Sequence, residues 1–152
     1  MAHCFIDNFQ TIFMKKYKIL EHTADIRIKI YGKTIKELFK NSAKALFDLI
    51  VQNKNEEDKE ERKVSLEAMD LNELLINWLN ELISIFYTYK FLPIKYDLDI
   101  DKNFKKLEAS IKGIKFNPYK NKIDTEIKAA TYCNLDIKKN KKNFEVEIVF
   151  DV

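Results

Sequence analysis

The chain has 152 residues and a formal net charge of +3, with 27 Lys and Arg against 24 Asp and Glu. This length favours a single domain folded around one core. A hydrophobic fraction of 46% and a charged fraction of 34% exclude an intrinsically disordered chain, a collagen-like repeat and a disulfide-rich miniprotein. Gly32 and Gly113 are the only glycines, so neither a P-loop nor a Rossmann dinucleotide fingerprint is possible.

The cysteines and the cations favour a reduced, cytoplasmic protein with little direct affinity for nucleic acid. Cys4 and Cys133 lack C-x-x-C spacing, which argues against a zinc site and a disulfide framework. All cationic residues except Arg27 and Arg62 are Lys, and a nearly balanced charge gives a weak electrostatic footprint. No run approaches the roughly 18 apolar residues of a membrane span, so we expect no membrane contact.

The first residues differ in character from the rest of the chain. Residues 1–13 contain no cationic segment followed by an apolar one, so they do not resemble a signal peptide. A second methionine, Met14, opens MKKYKILEHTAD, which resembles a natural start. We therefore interpret residues 1–13 as an N-terminal extension or an upstream start, and residues 14–152 as the folded domain.

The first elements of this domain are two strands and a helix. In the second half of segment 17–31, isoleucine alternates with charged residues, which predicts a strand with one buried face. Thr34 and Glu37 have the spacing of a capping box, in which each side chain satisfies a free amide at a helix start. An apolar stripe follows, so a helix is predicted over 34–51.

The middle of the chain predicts a loop, a short strand and a second helix. Residues 53–63 are all polar and of mixed charge, which is typical of a solvated loop. Residues 64–68 predict a short strand. Asp70 and Glu73 repeat the capping spacing, and apolar residues at helical intervals extend from 74 to 86, facing the core in preference to a partner.

Beyond Pro93 the pattern predicts strands. Four segments alternate apolar with polar residues, namely 96–100, 107–111, 127–131 and 146–150. Turns are predicted at 101–103, 117–118 and 140, and a longer loop between 116 and 123. The sequence therefore predicts an α+β fold, a single compact domain of antiparallel β-sheet with two main amphipathic helices packed on one face.

Histidine is scarce, which limits the chemistry available to the chain. His3 and His22 are the only histidines, and no nucleophile elbow accompanies them, so hydrolysis by a catalytic triad is poorly supported. The segment from Glu21 through His22 to Asp25 precedes a strand, where a carboxylate is able to bind a hard cation. Alternatively, Asp25 caps a turn and His22 bonds to the backbone.

Two further places carry charge in unusual positions. Asp151 and the terminal carboxylate of Val152 are neighbouring oxygen donors at the end of a strand, which favours a cation. Lys128 and Glu126 are predicted on one face of a strand, where an exposed cross-strand charge is the simpler interpretation. The basic hairpin tip at 138–142 either contacts RNA phosphates or keeps a sheet edge soluble, and the second is favoured.

Three separated motifs carry a resemblance to the archease family, in the right order and over nearly all of residues 14–152. They are YKILEHTADIRIKIYGKTIKELFKNSAKALF, LNELLINWLNELISIFYT, and EIKAATY with the terminal VEIVFDV. The resemblance implies a compact α+β domain. It also implies an accessory protein, with no catalysis of its own, for the RtcB-type tRNA-splicing ligase, which joins RNA ends using GTP and manganese through a guanylylated histidine.

The resemblance further implies a site and its ligands. The family's activator role is to promote guanylylation of the ligase and repeated turnover. It allows indirect contact with GTP and tRNA, and the family's lysine is suited to a nucleotide phosphate. The family's metal ligands fall on Asp25, Asp151 and Val152, and calcium is the expected ion, with manganese or magnesium as alternatives. The family's functional lysine falls on Lys128, and we group Glu21 and His22 with it in ligase activation.

The chain departs from the family at a few positions, and other functions are considered beside the resemblance. Family histidines are replaced by Ile123 or Asp124 and by Cys133, and Phe144 stands where a Trp is common. These changes leave Asp25, Asp151 and Lys128 in place. A general chaperone or modulator of RNA-processing enzymes is the alternative function, and a metal-dependent hydrolase is disfavoured.

Overall fold

The computed structural model describes residues 11–13, 17–21, 25–52, 60–131 and 136–152. His3, His22, Cys4 and Cys133 lie outside the described residues. The described chain forms nine strands and two helices in this order: β1 (Thr11–Phe13), β2 (Tyr17–Glu21), β3 (Asp25–Gly32), α1 (Ile35–Ile50), β4 (Glu60–Glu67), α2 (Leu71–Tyr89), β5 (Phe91–Ile100), β6 (Lys106–Lys115), β7 (Ala129–Thr131), β8 (Lys138–Lys139) and β9 (Phe144–Asp151).

The strands form two antiparallel sheets, and the helices contact both. The larger sheet has the order β1-β2-β3-β9-β7, with β8 also paired to β9, and the smaller has the order β4-β6-β5. α1 contacts β3 and β5, and α2 contacts β7, β5 and β4. The buried apolar side chains form one cluster. The α+β prediction is confirmed, with the strands divided between two sheets.

Both predicted helix starts are confirmed by their caps. Thr34 Oγ1 accepts a hydrogen bond from the Glu37 amide at 3.0 Å, and Asp70 Oδ1 accepts one from the Glu73 amide at 2.9 Å. The Glu73 carboxylate also accepts from the Met69 amide at 2.9 Å. These side chains satisfy amides that have no partner inside the first turn. Neither helix of the described residues is long and apolar enough to cross a membrane.

Two strand boundaries differ from the prediction. Glu60–Lys63 were expected in a loop, but they begin β4, because β6 provides hydrogen-bonding partners as far as the pairing of Glu60 with Gly113. Local polarity does not reveal such a partner when the strand's outer face is solvated. Thr11–Phe13, assigned to the extension, pair with β2.

β5 begins at Phe91 and includes Pro93, so this strand starts earlier than the alternation at 96–100 predicts. The pairing register with β6 shifts between Pro93 and Lys95, which is a bulge that accommodates the missing proline amide. Gly113 faces Pro93 across this bulge. A Cβ on Gly113 would collide with the carbonyl oxygen of Leu92, so the bulge depends on this glycine.

We predict that Gly113→Ala lowers the free energy of unfolding by about 1–3 kcal/mol, because the added methyl group overpacks a buried position against backbone atoms. Urea denaturation measures this loss. The neighbouring Lys112→Ala is the control, and it should change stability by no more than about 0.5 kcal/mol because Lys112 is exposed. Equal stabilities for the two variants would contradict the argument.

Candidate functional site

The larger sheet places two carboxylates opposite each other at one end. Asp25 is the first residue of β3 and pairs with Asp151, the last residue of β9. In an antiparallel pair, directly opposite residues point to the same face, with Cβ atoms about 4.5–5.5 Å apart. The chain then ends one residue later at Val152. Asp25 and Asp151 are 126 positions apart in the sequence. The pairing of β3 with β9 brings them together as one acidic pair.

Asp25 is a buried carboxylate at the end of the larger sheet. Its exposed fraction is 8%, and Oδ2 accepts no hydrogen bond from the part of the chain that the structure describes. Burying a carboxylate oxygen without a donor is costly, and a bound cation removes that cost. Residues 22–24 lie outside the described residues, so the alternative that Asp25 caps a turn stays a prediction.

The donors available at this end suit a hard divalent cation. Asp151 is half-buried and Val152 is exposed. The carboxylates at this end of the sheet therefore range from buried, at Asp25, to exposed, at the terminus. No group of three His, Cys, Asp or Glu side chains suited to a metal occurs among the described residues. The third protein ligand that the family resemblance implies is Val152, through its terminal or main-chain oxygen. Oxygen-only ligands favour calcium, magnesium or manganese over zinc.

Lys128 lies next to the end of β9, on the side away from β3. Its amide donates a hydrogen bond to the Asp151 carbonyl oxygen at 2.8 Å, and Ala129 pairs directly with Asp151. β9 therefore lies between Asp25 on β3 and Lys128 at the start of β7. The Lys128 side chain is exposed and makes no ion pair within the described residues.

The predicted strand around Lys128 is shorter than expected. β7 contains only Ala129–Thr131, so Lys128 and Glu126 lie in the irregular segment before it. The expectation that these two residues share one face of a strand is therefore wrong.

Of the two remaining predicted site residues, Glu21 lies within the described residues and His22 does not. Glu21 is the last residue of β2 and pairs with Ile26, next to Asp25 along β3. The backbone of Glu21 is therefore close to the acidic pair. His22 lies outside the described residues, and its predicted role stays a prediction.

Arg27 is buried, which our sequence reasoning missed. Arg27 follows Asp25 by two positions and so lies on the same face of β3. It is 2% exposed and donates a hydrogen bond from Nη1 to Glu147 Oε1 at 3.1 Å. Its charge beside the acidic pair opposes the mutual repulsion of the carboxylates. The only sequence signal was that Arg replaces the otherwise nearly universal Lys.

Asn80 is a second residue that sequence reasoning missed. It lies on α2, and its side chain bonds twice to the backbone of Ala130 in β7. Nδ2 donates to the Ala130 carbonyl at 3.1 Å, and Oδ1 accepts from the Ala130 amide at 2.8 Å. The signal available in the sequence was an Asn within an apolar helical pattern.

Comparison with known proteins identifies the family. The Archease protein family (MTH1598/TM1083) matches residues 17–152. The protein archease of Methanosarcina mazei is 35% identical over 141 residues, which is 91% of this chain and 97% of that protein. The protein archease of Sulfurisphaera tokodaii is 36% identical over 133 residues, covering 88% and 95% respectively.

Solved structures agree with this assignment. The solution structure of protein 1598 of Methanobacterium thermoautotrophicum matches with a TM-score of 0.76 at 27% identity, over 91% of this chain and all of that one. The crystal structure of an archease from Thermotoga maritima, described as a possible chaperone, matches with a TM-score of 0.62 at 24% identity, over 88% and 94%. This chain belongs to the archease family, as its motifs predicted.

We predict that Arg27→Leu lowers the free energy of unfolding by about 3 kcal/mol, because it breaks a buried ion pair and leaves Glu147 without its cation. Lys29→Leu is a matched control on the same strand face. Lys29 lies 4.0 Å from Glu145 with both side chains partly exposed, so its loss should cost below about 1 kcal/mol. Thermal and urea denaturation measure both values, and similar losses would show that burial of Arg27 is unimportant.

Proposed function

We propose that this protein activates an RtcB-type RNA ligase in tRNA splicing or RNA repair. In this role it promotes GTP-dependent guanylylation of the ligase and multiple turnover, and it catalyses no reaction itself. The activity places it in the cytoplasm with its ligase. Membership of the archease family supports the proposal, because the motifs that define the resemblance include the residues assigned to activation.

The observation that carries the proposal is the convergence of Asp25, Asp151 and Lys128 on one strand end. Asp25 pairs with Asp151, and Lys128 bonds to the Asp151 backbone. Asp25 Oδ2 is buried and has no hydrogen-bond partner among the described residues. This supports a divalent cation held by Asp25, Asp151 and Val152, with calcium favoured over manganese and magnesium. When bound, the cation would neutralise the acidic pair. Lys128, an exposed point charge, is suited to a phosphate of the nucleotide.

We predict that Ca²⁺ raises the unfolding temperature of the wild-type protein, because a ligand that binds the folded state stabilises it, by about 2.7 kcal/mol at one hundred times its Kd. Asp25→Asn and Asp151→Asn should lose most of this increase. Thermal denaturation with EDTA, Ca²⁺ or Mn²⁺ provides the measurement.

Asp99→Asn is the control for the metal experiment. Asp99 is an exposed carboxylate of β5 in the smaller sheet, paired with Lys36 at 2.9 Å. This variant should respond to Ca²⁺ as the wild type does. If all three variants keep the wild-type response, the acidic pair is not the binding site.

We predict that catalytic amounts of the protein accelerate guanylylation of a purified RtcB-type ligase by labelled GTP, and that Lys128→Ala removes most of the acceleration. The loss of a hydrogen bond to a charged group costs about 1.5–3 kcal/mol, which is roughly a tenfold to hundredfold reduction. Asp25→Ala and Asp151→Ala should also fail.

Lys138→Ala is the matched control, because Lys138 is an exposed lysine paired with the opposite end of β9, at Glu145. It should activate the ligase as well as the wild type does. Absence of acceleration by wild-type protein with a matched ligase would overturn the proposed function. Acceleration that survives Lys128→Ala would leave the function intact but remove Lys128 from it.

A second candidate function is a general chaperone or modulator of RNA-processing enzymes. It is favoured by the description of the Thermotoga maritima archease as a possible chaperone. Light scattering of an unrelated aggregating enzyme separates the two functions. A chaperone suppresses the aggregation, and Asp151→Ala does not change the suppression, whereas a dedicated ligase activator leaves the aggregation unaffected.

A further inference from the structure

β7 is a very short edge strand, and on the side away from β9 its backbone hydrogen-bonds to helix α2. It contains three residues, and on one side it pairs with β9 through the positions 129 to 131. Ala130 faces Phe150 in this register. Its amide and carbonyl both bond to Asn80, as they would to a neighbouring strand. The Asn80 side chain therefore substitutes for a further strand at this edge of the sheet.

Asn80 is itself held on a rigid element. The residue before it, Leu79, is fully buried. Trp78 is also fully buried, and its Nε1 donates to the Phe39 carbonyl of α1 at 3.1 Å. The backbone position of Asn80 is therefore fixed by core packing and not by the sheet edge that it contacts.

Lys128 precedes Ala130 by two residues, so hydrogen bonds to β9 and to α2 both hold this short stretch of backbone. Its own amide bonds to Asp151 of β9, and Ala130 bonds to Asn80 of α2. We infer that Asn80 is a positioning residue, which places Lys128 beside the acidic pair by fixing the backbone of Ala130 from the helix side. This inference rests on the proposed function of Lys128.

The carboxamide is the side chain that this arrangement requires. It presents a donor and an acceptor in one plane, as a peptide group does, and so satisfies both backbone groups of Ala130. Leucine has a similar shape but can neither donate nor accept a hydrogen bond. An ionised aspartate accepts from the Ala130 amide but cannot donate to its carbonyl, so Asn80→Asp should retain half of the contact.

The first test is amide hydrogen exchange followed by NMR, which needs no ligase. We expect Asn80→Leu to reduce protection of the Ala130 and Lys128 amides by roughly tenfold or more, because their local opening becomes easier. Asn80→Asp should give an intermediate loss at Ala130. The amides of Ile28 and Ile148, in the sheet centre, should keep wild-type protection and so report a folded protein.

Asn77→Leu is the control, since Asn77 lies on the same helix and donates to the Glu67 carbonyl at 3.3 Å, away from β7. It should leave the Lys128 and Ala130 amides protected. If Lys128 keeps its protection in both Asn80 variants, Asn80 does not position it and the inference is overturned.

The second test is ligase guanylylation with a double-mutant cycle. We expect Asn80→Leu to reduce activation in the wild-type background and to cause no further reduction in the Lys128→Ala background, because it acts through Lys128. The same fold reduction in both backgrounds would indicate a general structural role and overturn the inference. If Lys128→Ala alone retains full activation, the proposed role of Lys128 fails, and the exchange experiment still decides the placement by Asn80.

Discussion

The pairing of β3 with β9 is the constraint on which the rest of the structure depends. It joins Asp25–Gly32 to Phe144–Asp151 over eight residue pairs, near the two ends of the described chain. Ile28 and Ile148 face each other in this register, and both are fully buried. A slip of one residue would turn these side chains away from the core. Core packing thus fixes the register, and the register places Asp25 opposite Asp151.

The two faces of the larger sheet differ in polarity. One face is apolar and packs on the helices, and the other carries the charged residues of β3 and β9. Arg27, Lys29 and their partners Glu145 and Glu147 form ion pairs along that face, and the acidic pair lies at its end. A buried cation two residues from Asp25 makes it easier to keep two carboxylates close together. The buried Arg27 therefore helps the fold to hold two carboxylates opposite each other at the end of the sheet.

The extent to which the fold was predictable depended on whether the signal was local. Thr34 and Asp70 marked both helix starts correctly, because a cap bonds to amides three residues away. The start of β4 at Glu60 was missed, because its strand character comes from pairing with β6. Pro93 was placed outside β5 for the same reason, since the bulge opposite Gly113 requires knowledge of the partner strand.

The sequence by itself indicated that Asp25 lies where a strand begins and that Asp151 lies at the end of one, but it placed Lys128 inside a strand that begins only at Ala129. Alternation and capping are properties of neighbouring residues, so they can be read directly. Only the tertiary structure decided that these three meet, that Arg27 is buried beside them and that Asn80 completes the edge of β7. Those contacts join residues that are distant in sequence, such as Asn80 with Ala130 and Arg27 with Glu147. Such partners are selected by the packing of the whole core and not by any local pattern.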